Sequence, residues 1–164
     1  MDEQVTFRPA EEGDGIFLRQ WMRDPNIFQW FPMDGEKEIE DSARIWMDYA
    51  VKGQGITALW GGLPCGMAVI YVQPFKKLAH TCLLSILMAE GYRGHGIGTR
   101  LLNRLINLAK NTFHIEILHL EVYEGNPAQH LYERLGFTPF GEHRYFAKEA
   151  GGKYRSKIFM QKYL

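Results

Sequence analysis

The chain has 164 residues, of which 46% are hydrophobic, 13% aromatic and 23% charged. That is the composition of an ordinary globular domain and excludes a disordered, collagen-like or disulfide-stapled chain. Its 19 acids and 19 bases give a net charge of zero, which argues against a nucleic-acid partner, because such binders carry an excess of Lys and Arg.

Charge is unevenly spread along the chain: residues 1–50 hold 12 acids and 5 bases, and residues 51–164 hold 7 acids and 14 bases. Met1-Asp2-Glu3-Gln4 opens with acid and no apolar stretch follows, which predicts neither a secretory signal nor a transit peptide. The longest apolar run, Cys82 to Ala89, is far short of the roughly 20 residues that span a bilayer. The expectation is a cytoplasmic chain with no membrane partner. Cys65 and Cys82 are too few for a disulfide framework and lack zinc-site spacing, so both read as buried strand thiols. The six histidines show no paired ligand spacing, and no metal is expected.

Val5 to Pro9 predicts a first strand, and Phe17, Leu18, Trp21 and Met22 recur at helical spacing until Asp24-Pro25 breaks the pattern. Asp34 is the expected cap of a second helix with Glu36 and Glu38 in its first turn and Ile39, Ala43, Trp46 and Ala50 on one face. Ile56–Trp60 and Met67–Val72 predict two strands joined around Gly61-Gly62, and Leu78–Met88 a third. The glycine-rich stretch 91–98 follows. It leads into a helix with Ile97, Leu101, Leu102, Leu105, Ile106 and Ala109 on one side. Ile115–Val122 predicts a strand, Asn126-Pro127 a capped helix start with Gly136 as its stop, and Phe137–Phe146 and Tyr154–Tyr163 two closing strands. The order β-α-α-β-β-β-α-β-α-β-β predicts an α/β (α+β) mixed sheet with helices on both faces, in a single domain spanning residues 1–164.

A strand running into Arg93-Gly94-His95-Gly96-Ile97-Gly98-Thr99 and then into an amphipathic helix makes an anion cradle. Glycines let successive N–H groups turn inward, the helix adds its unpaired N–H groups and positive dipole end, and Arg93 and Arg100 offer full charges. Alternatively, the cluster is a plain loop. It is neither a Walker loop, which needs a following Lys-Ser/Thr, nor a dinucleotide fingerprint, whose spacing differs.

Arg93-x-x-Gly96-x-Gly98 resembles the acyl-CoA pyrophosphate motif of the GNAT superfamily of N-acetyltransferases. Residues 120–137, with Asn126, Tyr132, Gly136 and Phe137, are similar to that superfamily's strand-Asn-helix-Tyr-Gly-Phe block. Trp21, Asp24-Pro25, Trp30 and the closing strand resemble the branch holding polyamine, aminoglycoside and ribosomal-protein acetyltransferases. The resemblance covers essentially the whole chain. It departs in two places: Asn126 stands six residues before Tyr132 where seven is commoner, and the strand before the loop carries Ser85 where many relatives have a carboxylate.

The resemblance implies the acyl-CoA N-acyltransferase fold and transfer of an acetyl group from acetyl-CoA to a primary amine by direct attack. It implies that the backbone of Ile86, Leu87 and Met88 aligns the pantetheine arm, that residues Arg93 to Thr99 hold the pyrophosphate, and that Asn126 bonds the pantetheine or caps its own helix. Tyr132 then protonates the departing thiolate, or else is a core aromatic. Candidates for the base are Glu90, His80, His119, Glu121, Ser85 or a water chain. The aromatics of residues 24–36, interleaved with Asp24, Asp34 and Glu36, favour a cationic acceptor such as a polyamine, an aminoglycoside or a peptide or protein N-terminus. Two other readings stay open, a catalytically silent CoA-binding interaction module and a nucleotide-binding protein without acyl transfer. The sequence also leaves open whether the chain forms a homodimer.

Overall fold

The computed structural model describes residues 4–164; Met1, Asp2 and Glu3, on which the reading of the N-terminus rests, lie outside the described residues. Chain order is β1 (Val5–Pro9), α1 (Gly15–Met22), α2 (Pro25–Phe28), α3 (Glu36–Tyr49), β2 (Gly55–Trp60), β3 (Leu63–Val72), β4 (Thr81–Met88), α4 (Ile97–Asn111), β5 (Ile117–Tyr123), α5 (Ala128–Arg134), β6 (Thr138–Lys148) and β7 (Tyr154–Tyr163). The seven strands form one sheet in the order β1-β2-β3-β4-β5-β7-β6. All neighbours are antiparallel except β4 and β5, which run parallel because α4 carries the chain across between them.

Period-two alternation divides the sheet between two cores. Ala68, Ile70, Cys82, Leu84, Leu118, Leu120 and Val122 point to one face, where they meet Leu101, Leu102 and Leu105 of α4. Met67, Val69 and Leu87 point to the other and meet Leu18, Met22, Ala43 and Trp46 of α1 and α3. The three α4 leucines are fully buried, and each contributes about 2 kcal/mol of apolar burial. Both cysteines are buried strand thiols, as the sequence predicts, and burial pushes Cys65 up to about 11 and Cys82 up to about 12.

Three local expectations are corrected. The cap of α3 is Gly35, not Asp34: Gly35 sits at φ 87°, which glycine adopts without strain, while the Asp34 backbone N–H donates to the Glu38 carboxylate at 3.0 Å. The strand expected from Leu78 begins at Thr81, because residues 76–78 curl into a 3₁₀ turn. The break at Asp24-Pro25 is itself a helix start: Asp24 accepts the Asn26 N–H at 2.9 Å and Pro25 occupies the first helical position of α2.

β1 is anchored by a part-buried ion pair. The Arg8 guanidinium donates two 2.8 Å hydrogen bonds to Asp14, whose carboxylate also accepts from the Glu11 N–H at 2.9 Å and the Thr57 hydroxyl at 2.7 Å. Burial alone would raise the Asp14 pKa, but these donors outweigh it and hold the group below the usual carboxylate value.

Candidate active site

β4 and β5 pair only through Thr81 with Ile117, Cys82 with Leu118 and Leu83 with His119. Beyond Leu83, β4 continues to Met88 bonded only to β3, and β5 continues to Tyr123 bonded only to β7. The strands part and leave a cavity of about 520 Å³ between them. Its walls come from both edges of the split, from the start of α4, from α5 and from the segment after α2.

At one end lies the N-terminus of the 15-residue helix α4. Gly96 takes φ 73°, ψ 4° just before it, and no side chain caps the first turn. The first amides of a helix have no intrahelical acceptor, so those of Ile97, Gly98 and Thr99, which line the cavity, are offered to whatever enters. At Gly98 an added Cβ would meet Leu131 at 3.6 Å and Met88 at 3.7 Å, ordinary contacts. The packing of the chain itself therefore does not require glycine at position 98.

Of the residues singled out from sequence, Ile86, Leu87, Met88, Arg93, Gly94, Gly96, Ile97, Gly98, Thr99, Asn126 and Tyr132 all line this cavity. His95 does not. It sits between two left-handed glycines, 94 and 96, and its ring lies 5.3 Å from that of Trp60. Arg93 ion-pairs with Glu90 at 3.2 Å, whereas Arg100 lies over the Phe7 ring at 5.2 Å and is not part of the lining. The Asn126 side-chain oxygen accepts the Ala128 N–H at 3.0 Å, so it serves as the cap of α5. The Tyr132 ring is buried against Phe137, and burial pushes its hydroxyl up to about 12, an effect that the charge of Arg93 moderates.

Among the base candidates, Ser85 and Glu121 line the cavity; Glu90, His80 and His119 do not. Ser85 accepts a hydrogen bond from the Tyr71 hydroxyl at 3.2 Å. His119 lies 3.4 Å from the Thr81 hydroxyl, and burial lowers its pKa despite the nearby Glu121. Glu121 is the only carboxylate of the lining, and Lys157 Nζ stands 2.9 Å from it.

The face of the sheet that carries α1 and α3 supplies the other end. Trp30, Phe31, Trp46, Tyr123 and Phe146 wall it. The acids expected to charge this region do not reach it. Asp24 caps α2, Asp34 bonds Glu38 through its backbone, and Glu36 is ion-paired with Arg23. None of the three belongs to the lining, whose charged members are Arg93, Glu121, Arg134 and Lys157. Sequence reading missed Tyr123, Phe146 and Lys157; strand alternation from Glu121 would have flagged Tyr123, but the last two arrive through β6 and β7 pairings that no local pattern announces.

The profile of the acetyltransferase (GNAT) family matches residues 16–137. The chain is 34% identical over 135 residues to a streptothricin acetyltransferase of Streptomyces lavendulae, covering 82% of this chain and 69% of that one. It is 27% identical over 146 residues to a spermidine N(1)-acetyltransferase of Vibrio cholerae, covering 86% and 83%. Its fold is similar to the crystal structure of a ribosomal-protein-alanine N-acetyltransferase from Brucella melitensis, with a TM-score of 0.83 and 26% identity over 97% of this chain and 99% of that one.

Proposed function

The chain belongs to the acetyltransferase (GNAT) family, enzymes that draw their acetyl group from acetyl-CoA, and from that premise we propose which of its residues perform the transfer and to what. The unit is one domain, residues 1–164; a single sheet running from Val5 to Tyr163 supports this. The acceptor is a primary amine, held on the face of Trp30 and Tyr123. The observation that carries the reading is the split between β4 and β5, with an uncapped helix N-terminus at one end and the buried Tyr132 among the residues that line the gap.

In this reading the pyrophosphate rests on the amides of residues 96–99 with Arg93 beside it, where backbone donors and the helix dipole favour negative charge. The unpaired edge of Ile86, Leu87 and Met88 takes the pantetheine arm as a sheet takes an added strand, and a main-chain N–H there polarises the thioester carbonyl. Asn126 frames the arm at the start of α5.

The incoming ammonium loses a proton to cavity water, which passes it to the Glu121 carboxylate or relays it past the Ser85 hydroxyl to bulk water; Glu121 and Ser85 are the two base candidates in the lining. The free amine attacks the thioester carbon, a C–N bond forms and the C–S bond breaks, and the surplus proton of the amide nitrogen leaves through cavity water to replace the one that Tyr132 gives up. Tyr132 donates its hydroxyl proton to the departing thiolate; a hydroxyl raised to about 12 stays protonated at neutral pH and so has that proton to give.

The cationic acceptor expected from sequence rested on Asp24, Asp34 and Glu36, which stand outside the lining. Three cations and one paired carboxylate line the cavity instead, so the acceptor is proposed here only as a primary amine. The test is release of free thiol from acetyl-CoA across a panel of amines, run beside direct binding of CoA and of ATP. Amine-dependent thiol release with CoA preferred to ATP supports the reading. Tight CoA binding with no turnover favours a silent CoA-binding module, and tighter binding of ATP favours a nucleotide site.

A further inference from the structure

Among the described residues Glu121 is the one acid in the lining of the cavity, and the chain has already paired it. Lys157 Nζ lies 2.9 Å from Glu121 Oε2, with the Glu121 side chain 39% exposed and that of Lys157 13%. Both line the cavity, so a bound molecule reaches them. To a charge arriving from the cavity this pair is a dipole and not an anion, and its pull falls off faster than that of a free carboxylate. The other charged residues of the lining, Arg93 and Arg134, are positive.

The aromatic walls are engaged in the same way. The Phe146 ring, 37% exposed, carries the Lys157 ammonium 3.4 Å from its centre. Behind the lining, the Arg155 guanidinium packs 5.1 Å from the centre of the Trp30 ring. Rings draw cations by the negative charge of their faces, and a cation already in place opposes a second. What these walls still offer is apolar surface, from Trp30, Phe31, Met33 and Trp46 beside Phe146.

The backbone is bent to build this arrangement. His143 pairs with Lys157 and Ala147 with Arg155, so residues 144–146 of β6 stand opposite Ser156 alone. Tyr145, inside this bulge, takes φ 56°, a left-handed conformation that a side chain makes costly. Bulges re-aim side chains, and this one brings Phe146 onto Lys157 at the cavity wall.

We infer that Lys157 is a built-in cation that fills the place of a second substrate ammonium, so that the acceptor is a monoamine with an uncharged, apolar body. The inference rests on the acetyl-transfer reading above and narrows its acceptor. A second ammonium would leave water for a site whose carboxylate is taken, which is unfavourable for an unpaired charge. An alkyl or aromatic body gains by leaving water for the same walls. Polyamines are then poor acceptors.

The test pairs primary alkylamines, over a series of lengths, with the diamines of the same lengths, and adds spermidine. In the parent protein kcat/KM for acetyl transfer to the monoamine should exceed that of its diamine by about tenfold or more, and should rise with alkyl length. Lys157→Met frees the Glu121 carboxylate, and the monoamine-to-diamine ratio should fall about tenfold. Each ratio is taken within one variant, so a change in a step common to both amines cancels. In the double variant Lys157→Met with Glu121→Gln no free anion remains, and the ratio should return toward the parental value. Calorimetric titration of each pair into the CoA-loaded protein makes the same comparison without turnover. Diamines or spermidine used as well as monoamines by the parent, or no gain with alkyl length, overturn the inference and leave acetyl transfer standing. So does a ratio that Lys157→Met leaves unchanged. Failure of every amine to release thiol overturns the transfer reading, and the calorimetric ratios then decide the charge preference separately.

Discussion

Lys157 Nζ stands 2.9 Å from Oε2 of Glu121 and 3.4 Å from the centre of the Phe146 ring. One cation thus serves both a carboxylate and an aromatic face, and it fixes the position of the lone acid of the cavity. If the acceptor's proton ends on this carboxylate, Glu121→Gln lowers kcat by roughly 10²-fold, whereas Ser85→Ala stays within about threefold. A variant pair with the opposite ranking assigns the proton to the Ser85 side. Steady-state kinetics over pH, at saturating acetyl-CoA, makes the comparison.

Tyr132→Phe should lower single-turnover acetyl transfer by roughly 10² to 10⁴. Only a hydroxyl leaves, so the ring packing on Phe137 persists and CoA affinity should match the parent. A parental single-turnover rate would reduce Tyr132 to a core aromatic.

Gly96 and Gly98 are expected to answer substitution differently. Gly96 sits at φ 73°, where any side chain is strained, so Gly96→Ala should cost about 1 kcal/mol in chemical denaturation besides weakening CoA. Gly98 has room for a methyl group on the protein side, so Gly98→Ala should retain its stability. Gly98→Asp should then abolish CoA binding in calorimetry by setting a carboxylate against phosphate. Undiminished CoA affinity in a folded Gly98→Asp would displace the pyrophosphate from this loop.

Neutralising Asp34 and Glu36 together should change the KM of cationic and neutral amines alike by less than about twofold, since neither side chain lines the cavity. A selective rise in KM for cations would restore the long-range attraction that the charge distribution suggests.

The Asp14 carboxylate gives the fold an acid-sensitive anchor. Its folded pKa lies below the ordinary value of 3.8, so its contribution is fully present above that value and is lost as pH falls through the lowered one. Asp14→Asn should destabilise by about 3 kcal/mol at neutral pH, because Arg8 loses its paired anion. The variant should also flatten the acid side of the stability curve measured by urea unfolding between pH 2 and pH 6.

The order of elements and the two-faced sheet were legible because apolar spacing reports burial directly: Leu101, Leu102 and Leu105 recur at helical spacing and are fully buried. The loop of residues 93–99 was legible because glycines at fixed offsets reflect backbone conformation, as the positive φ of Gly94 and Gly96 bears out. Capping was less legible. Asp34 and Gly35 are both good caps, and only the path of the chain into α3 decides between them. The acceptor end was least legible: Trp30, Tyr123, Phe146 and Lys157 meet there from separate stretches of chain. The charges of Asp24, Asp34 and Glu36 suggested a field there, but Arg23 holds Glu36 outside the cavity.

Three residue pairs join the block β1–β4 to the block β5-β7-β6, and the joint lies at the closed end of the cleft. Mechanically that is a lever with a short fulcrum. From Leu83 to Met88 the free arm is roughly 17 Å long, so a rotation of about 5° at the fulcrum moves its tip by about 1.5 Å. Misplacement of that size is costly where an amine must meet a thioester carbon. Cys82 and Leu118 are fully buried at that fulcrum, in one core with Leu101 and Leu105 of α4, so a change in their volume is felt at the joint between the two blocks of the sheet.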